Sequence, residues 1–141
     1  MSNPTILNNI LWYGEAVNDS NLYIGEFSFL HPTKPIQWFT YPRNTYLLET
    51  HPDTRDIKTL QWFSNGYILA EKDGDTLNVY CTKFGRTNMK ESKLEKTMIF
   101  HYKLYFENGK WQMGMEEPNN ENANMKQGAV DLWQRIHGEL P

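Results

Sequence analysis

The chain has 141 residues, of which 39% are hydrophobic and 14% aromatic, and its formal net charge is −3 at pH 7. This composition is typical of a single folded domain, and the small acidic excess argues against nucleic acid as a partner. The single cysteine, Cys81, excludes an intrachain disulfide and a CxxC site, and its alternation with Leu77 and Val79 predicts a buried side chain. Because the sequence contains no apolar run of roughly 20 residues and no signal-peptide pattern, we expect one soluble β-rich domain over residues 1–141.

Three hairpins and one further strand are predicted in chain order. The first hairpin, over residues 9–30, turns at Asn18–Asn21, and the segment 36–42 follows it as a separate strand. The second hairpin, over residues 66–84, turns around Gly74. The third turns at Asn108-Gly109, and its apolar side chains alternate at Met98, Phe100, Tyr102, Leu104, Phe106, Trp111, Met113 and Met115.

Two segments have helical spacing. Asp53 is the predicted N-cap of a short helix with Ile57 and Leu60 on its apolar face, and Asn65-Gly66 is its stop. A second helix is predicted over residues 126–140, near the C-terminus. The predicted fold class is therefore α+β, a mostly antiparallel β-sheet of about seven strands built from hairpins, with one internal short helix and one C-terminal helix.

The sequence contains no local motif for catalysis or metal binding. The four histidines, His31, His51, His101 and His137, have no HxxxH spacing, and no nucleophile elbow, phosphate loop or dinucleotide motif occurs. His31 and His51 each precede a proline in a predicted loop, where a solvent-facing turn residue is expected. Alternation along the strand directs His101 away from the apolar face of the third hairpin. None of these histidines requires a catalytic role.

Several separated motifs match one known pattern in order. They are Pro4, Thr5, Asn8 or Asn9, Leu11 and Trp12; then Pro42 and Asn44; then Leu60, Phe63, Ser64, Gly66 and Tyr67; and finally Phe84 and Gly85. This set resembles the soluble C-terminal region of the YdjM-type inner-membrane-bound metal-dependent hydrolases, over roughly residues 4 to 86. The chain departs from the family pattern at residues 80–83, where YCTK stands in place of an acidic residue and an arginine.

The resemblance implies that the chain is the C-terminal domain of a longer membrane protein, itself non-catalytic. Its main partner would be its own N-terminal membrane domain, with another protein or a small molecule as a further partner, and the domain would be tethered at the inner membrane. A divalent metal is implied for the parent protein, and no cofactor or metal is expected in this chain. The implied function is that of an accessory domain that recognises a partner or positions a substrate.

A candidate ligand or partner patch lies within the matching motifs and directly beside them. It consists of Trp12, Arg43, Asn44, Ser64, Tyr67 and Arg86.

Two alternatives follow from the residues alone. The first is a small-ligand-binding module with a cavity between the sheet and the terminal helix, lined by Trp12, Trp38, Trp62 or Trp133. The second is a small hydrolase, which requires that carboxylates or histidines converge in one cleft, from the set His31, His51, His101, Glu26 and Asp53.

The resemblance predicts the gene structure upstream of Met1. If the chain is the tail of a membrane hydrolase, the reading frame continues into several apolar segments of about 20 residues with histidines and acids between them. Sequencing the genomic locus tests this prediction, and a stop codon directly before Met1 contradicts it.

Overall fold

The computed structural model describes residues 2–4, 10–86, 98–116, 130, 133 and 134. Within these ranges lie eight strands and two helices: β1 (Ser2–Pro4), β2 (Leu11–Val17), β3 (Asn21–Ser28), β4 (Trp38–Pro42), α1 (Tyr46–Glu49), α2 (Thr54–Ser64), β5 (Ile68–Asp73), β6 (Thr76–Arg86), β7 (Met98–Glu107) and β8 (Lys110–Glu116). The strands form two four-stranded sheets, in the orders β1-β2-β3-β4 and β5-β6-β7-β8. The pairs β1/β2, β5/β6, β6/β7 and β7/β8 are antiparallel. The predicted α+β class with mostly antiparallel strands is confirmed.

Two details of the predicted architecture differ from the structure, and a third lies largely outside the described residues. The strands form two sheets rather than one: β4 ends at Pro42, and Asn44, with a φ of 50°, and the two helices follow before β5 begins. Helix α1 was not predicted; it has four residues and no side-chain hydrogen bond at its N-cap, Thr45, so no local signal marks its start. The predicted C-terminal helix lies outside the described residues, except that Val130, Trp133 and Gln134 are helical.

The described residues fall into two compact units. The first contains β1, nearly all of β2, most of β3, the following chain to Thr40 with the start of β4, and Val130, Trp133 and Gln134. The second contains the turn between β2 and β3 and the described chain from Tyr41 onward through β8. The prediction of a single domain over 1–141 stays a prediction.

The first sheet follows the predicted hairpin chemistry. The side-chain Oδ1 of Asn18 accepts hydrogen bonds from the backbone N–H groups of Ser20 at 3.0 Å and Asn21 at 2.7 Å. This local bonding stabilises the turn between β2 and β3. The aromatic side chain of Trp38 on β4 lies against the backbone of two glycines, Gly14 and Gly25, on β2 and β3. Glycine leaves the space that the indole occupies.

Helix α2 begins and ends where the sequence predicts. The carboxylate of Asp53 accepts a hydrogen bond from the N–H of Asp56 at 3.2 Å, and Asn65 adopts the left-handed conformation with φ 51°. Ile57 and Leu60 are buried on one face of the helix. Within the described ranges, neither helix has the length and apolar character of a transmembrane segment.

Two tight turns set the register of the second sheet. Gly74, with φ 57°, follows β5, and Asn108 and Gly109, with φ 53° and 78°, join β7 to β8. Left-handed residues of these types fit the twist of a two-residue hairpin. The predicted second and third hairpins are therefore confirmed.

The core of the second unit lies between α1, α2 and one face of the second sheet. Its buried members are Leu48, Ile57, Leu60, Ile68, Ala70, Leu77, Val79, Cys81 and Leu104. Phe63 of α2 adds an edge contact to Phe100, with ring centroids 5.5 Å apart. Burial raises the pKa of the Cys81 thiol to about 12, which agrees with the predicted buried role of this residue.

The opposite face of the second sheet also carries buried groups. His101 does alternate away from the apolar face, but it is 3% exposed rather than solvated. Its ring stacks on Tyr80, with centroids 4.5 Å apart, and its Nε2 lies 2.9 Å from Oδ1 of Asn78. A buried polar side chain needs such a partner, so the role of His101 is structural.

The close approach of Trp38 to Gly25 generates a stability prediction. A Cβ at Gly25 would lie 2.6 Å from Cγ2 of Ile36 and 3.0 Å from Cε3 of Trp38. Gly25→Ala should therefore lower the free energy of unfolding by about 1–3 kcal/mol, through displacement of these side chains. Urea denaturation measures the change.

The matched control is Gly114→Ala in β8, where the nearest atom to the new Cβ is Cε1 of Tyr105 at 3.7 Å. This distance is an ordinary contact, so the control should change stability by about 0.5 kcal/mol or less. Equal effects of the two substitutions would contradict the packing argument.

Candidate functional site

Strand register places four side chains at the turn end of the helix-covered sheet face. Lys72 pairs with Leu77, and Phe106 pairs with Trp111 across the Asn108-Gly109 turn. Because side chains alternate along a strand, all four share the face of the core residues Val79 and Leu104. Beyond the core, the same face of the sheet therefore carries a lysine and two large aromatic rings.

A facing wall comes from α1 and the connection between α1 and α2. The two walls line an open cleft of about 630 Å³ within the second unit. The lining residues are Leu47, Thr50, His51, Pro52, Lys72, Asp75, Thr76, Leu77, Phe106 and Trp111. Phe106 is 59% exposed although it lies on the core face, so the described residues leave this end of the sheet largely uncovered.

His51 is held in one orientation by its own loop. The backbone N–H of Asp53 donates a hydrogen bond to Nδ1 of the imidazole at 3.1 Å. A nitrogen that accepts a hydrogen bond carries no proton, so the neutral ring carries its proton on Nε2. The ring also makes an edge contact with the indole of Trp111, with centroids 4.4 Å apart.

The second nitrogen of His51 is buried and lacks a partner. No hydrogen-bond acceptor for Nε2 is found in the part of the chain that the structure describes. Burial lowers the pKa of His51 from its ordinary value of 6.5, and the nearby charge of Asp53 opposes this shift. The neutral imidazole is therefore favoured near pH 7, and it presents an unsatisfied N–H donor.

Two unpaired charges of opposite sign complete the cleft. Lys72 comes from the end of β5 and Asp75 from the turn that follows. Neither the ammonium group nor the carboxylate makes an ion pair or a side-chain hydrogen bond with any described residue. Both charges are available to a ligand.

Arg43 and Asn44 of the predicted patch donate to backbone carbonyl groups. The guanidinium of Arg43 donates from Nη1 to the carbonyl of Asn18 at 2.7 Å and from Nη2 to that of Gly66 at 2.8 Å. The amide of Asn44 donates to the carbonyl of Ala70 at 3.0 Å. These bonds satisfy carbonyl groups of turns and of β5, which is a structural role.

The other patch residues occupy three different settings. Ser64 is buried and donates to the carbonyl of Gln61 at 3.2 Å, and the carbonyl of Tyr67 accepts from the N–H of Thr82 at 2.9 Å. Arg86 is the last residue of β6. Trp12 belongs to the first compact unit, where its ring contacts Phe29 at 5.8 Å. The structure brings Arg43, Asn44, Ser64 and Tyr67 to the corner between α2 and β5, and their function as a partner patch stays a prediction.

The tryptophan that lines the cleft is one that the sequence reasoning did not select. Trp38 lies against the glycines of the first sheet, Trp62 is 81% exposed on α2, and Trp133 is 65% exposed. Trp111 lines the cleft instead. The sequence does contain a signal for Trp111. Phe106 and Trp111 flank the Asn-Gly turn at equivalent positions, so pairing in a hairpin places their two rings side by side on one face.

Two of the candidate hydrolase residues, His51 and Asp53, lie next to each other in the connection between α1 and α2. However, Nδ1 of His51 is used by the backbone of Asp53. His101 is buried against Asn78, and Glu26 is buried in β3. Among the described residues, no group of three or more His, Cys, Asp or Glu side chains could hold a metal ion. The divalent metal implied for a parent protein stays a prediction from resemblance.

The lowered pKa of His51 predicts a pH-dependent stability. The unfolded chain binds this proton at higher pH than the folded chain does, so the stabilising contribution is present above about pH 6.5 and is lost as pH falls through the folded pKa. In the variant His51→Asn, the side-chain oxygen can still accept from the N–H of Asp53, as in an Asx turn, but the titrating ring is removed.

Urea denaturation between about pH 8 and pH 5 should give a smaller loss of stability in His51→Asn than in the natural chain. The difference between the two chains in the slope of stability against pH gives the contribution of His51 apart from that of the other histidines. Parallel slopes would contradict the assignment of a lowered pKa to this residue.

Comparisons of the chain with protein-family models, with curated proteins and with solved structures found no match. A function must therefore be argued from the residues and geometry of the chain itself.

Proposed function

We propose that the protein is a small-ligand-binding module and that its site is the cleft between the turn end of the second sheet and the connection from α1 to α2. The observation that carries this proposal is the cleft of about 630 Å³, in which apolar walls surround a few unpaired polar groups. Ligand sites typically have volumes of about 300–1,000 Å³ and this combination of apolar lining and few polar groups.

The exposed rings of the cleft support a binding role over a purely structural one. Phe106 continues the core face but is 59% exposed, and Trp111 is only partly buried against His51. Leaving large apolar side chains uncovered loses stabilisation that burial would supply. A concave surface of this kind is typical of a site where a bound ligand buries the exposed apolar side chains.

The proposal is independent of the resemblance to membrane-bound hydrolases. None of the residues that line the cleft belongs to the motifs that carry that resemblance. The accessory role and the hydrolytic role therefore stay predictions from the sequence. A ligand-binding cleft is compatible with a domain that positions a substrate for a larger protein.

Ligand binding should depend on Trp111. A library of small aromatic acids, lipids, sugars and nucleotides is screened by two-dimensional amide NMR, and we expect shifts that cluster at residues 47–52, 72–77, 106 and 111. In Trp111→Ala, the affinity of any compound found should fall by at least about tenfold, since buried aromatic contacts dominate such sites.

The matched control is Trp62→Ala, because Trp62 is 81% exposed on α2 and does not line the cleft. Trp62→Ala should bind the compound with the same affinity as the natural chain. The proposal is wrong if no compound shifts the cleft residues, or if the two tryptophan variants weaken binding equally.

A further inference from the structure

The unsatisfied donor of His51 indicates what the ligand must supply. Its Nε2–H is buried without an acceptor among the described residues, its other nitrogen accepts from the N–H of Asp53, and the residue lines the cleft. Buried N–H donors are nearly always paired in folded proteins. The neighbouring Trp111 ring is at most a weak acceptor, so the described residues supply no good acceptor and a ligand can provide one.

Lys72 adds a positively charged donor to the same cleft. Its ammonium group has no partner among the described residues, and it lies on the same sheet face as Phe106 and Trp111. A charged donor and a neutral N–H donor together favour a carboxylate, which has two oxygens that can each accept a hydrogen bond.

We propose that the ligand is a small aromatic monocarboxylate, whose ring packs against Phe106 and Trp111 and whose carboxylate accepts hydrogen bonds from Lys72 and His51. This inference rests on the proposed function of the cleft and adds the chemical class of its ligand. Because the Nε2 nitrogen of His51 is buried in the unliganded chain, neighbouring side chains must shift for the ligand to reach it.

The charges of the cleft favour a single negative charge on the ligand. Among the described residues of its lining, Lys72 is the one lysine or arginine and can pair with one negative charge, while Asp75 repels any further negative charge. A dianion such as a phosphate ester would have one fixed positive partner and would face the carboxylate of Asp75. A cationic ligand would leave the donor of His51 unsatisfied and would meet the ammonium of Lys72.

Three probes with the same apolar body test the class of ligand. They are 3-phenylpropionate, its primary amide 3-phenylpropanamide and the amine 3-phenylpropylamine, each titrated into the whole chain and followed by amide NMR at the cleft. The carboxylate should bind about tenfold more tightly than the amide, since a charge-assisted hydrogen bond replaces a neutral one. The amine should bind more weakly than the amide.

Two variants separate the roles of the donors. His51→Asn keeps an acceptor for the N–H of Asp53 but removes Nε2–H, and Lys72→Gln removes the positive charge. Each should weaken binding of 3-phenylpropionate by about tenfold and leave binding of the amine unchanged or stronger. Lys58→Gln is the matched control, because Lys58 is exposed on α2 and does not line the cleft.

The outcomes distinguish this inference from the proposed function. Equal affinities for the three probes, all lost in Trp111→Ala, would overturn the carboxylate and leave the cleft as a binding site. The same conclusion follows if Lys58→Gln weakens binding as much as Lys72→Gln does. If none of the probes binds while another library compound shifts the cleft residues, the carboxylate is again overturned and the binding module stands.

Discussion

The register of the second sheet is the constraint on which the rest of the second unit depends. Two short turns, one at Gly74 and one at Asn108-Gly109, fix which residues of β5 to β8 stand opposite one another. A shift of one residue would move every side chain of a strand to the other face. The buried core, the stacked pair of His101 and Tyr80, and the aromatic wall of the cleft are therefore specified together by a few backbone angles.

Local features of the sequence were sufficient to predict most elements of the fold. Alternation and turn chemistry predicted the hairpins, and Asp53 and Asn65 marked the ends of α2, because these signals act within a few residues. Helix α1 and the division into two sheets were missed, since neither depends on a local signal. The cleft was missed for a related reason: the contact of His51 with Trp111 joins segments that are far apart in the chain.

The candidate patch shows how a polar motif can serve the backbone. Arg43 was selected as a residue for recognition, yet its guanidinium donates to main-chain carbonyls of the turn after β2 and of the corner before β5. An arginine with several donors in a fixed plane is suited to this task. Among the described residues, unpaired polar groups line the cleft instead, in the connection between the helices, at the end of β5 and in the turn after it.

The burial of Cys81 makes this residue a natural reporter of sheet opening. Its thiol is inaccessible in the centre of β6, and its pKa of about 12 leaves almost no thiolate in the folded protein near neutral pH. Reaction with an alkylating reagent must therefore wait until β6 separates from the helices. The labelling rate then measures how often the second unit opens, without any introduced probe.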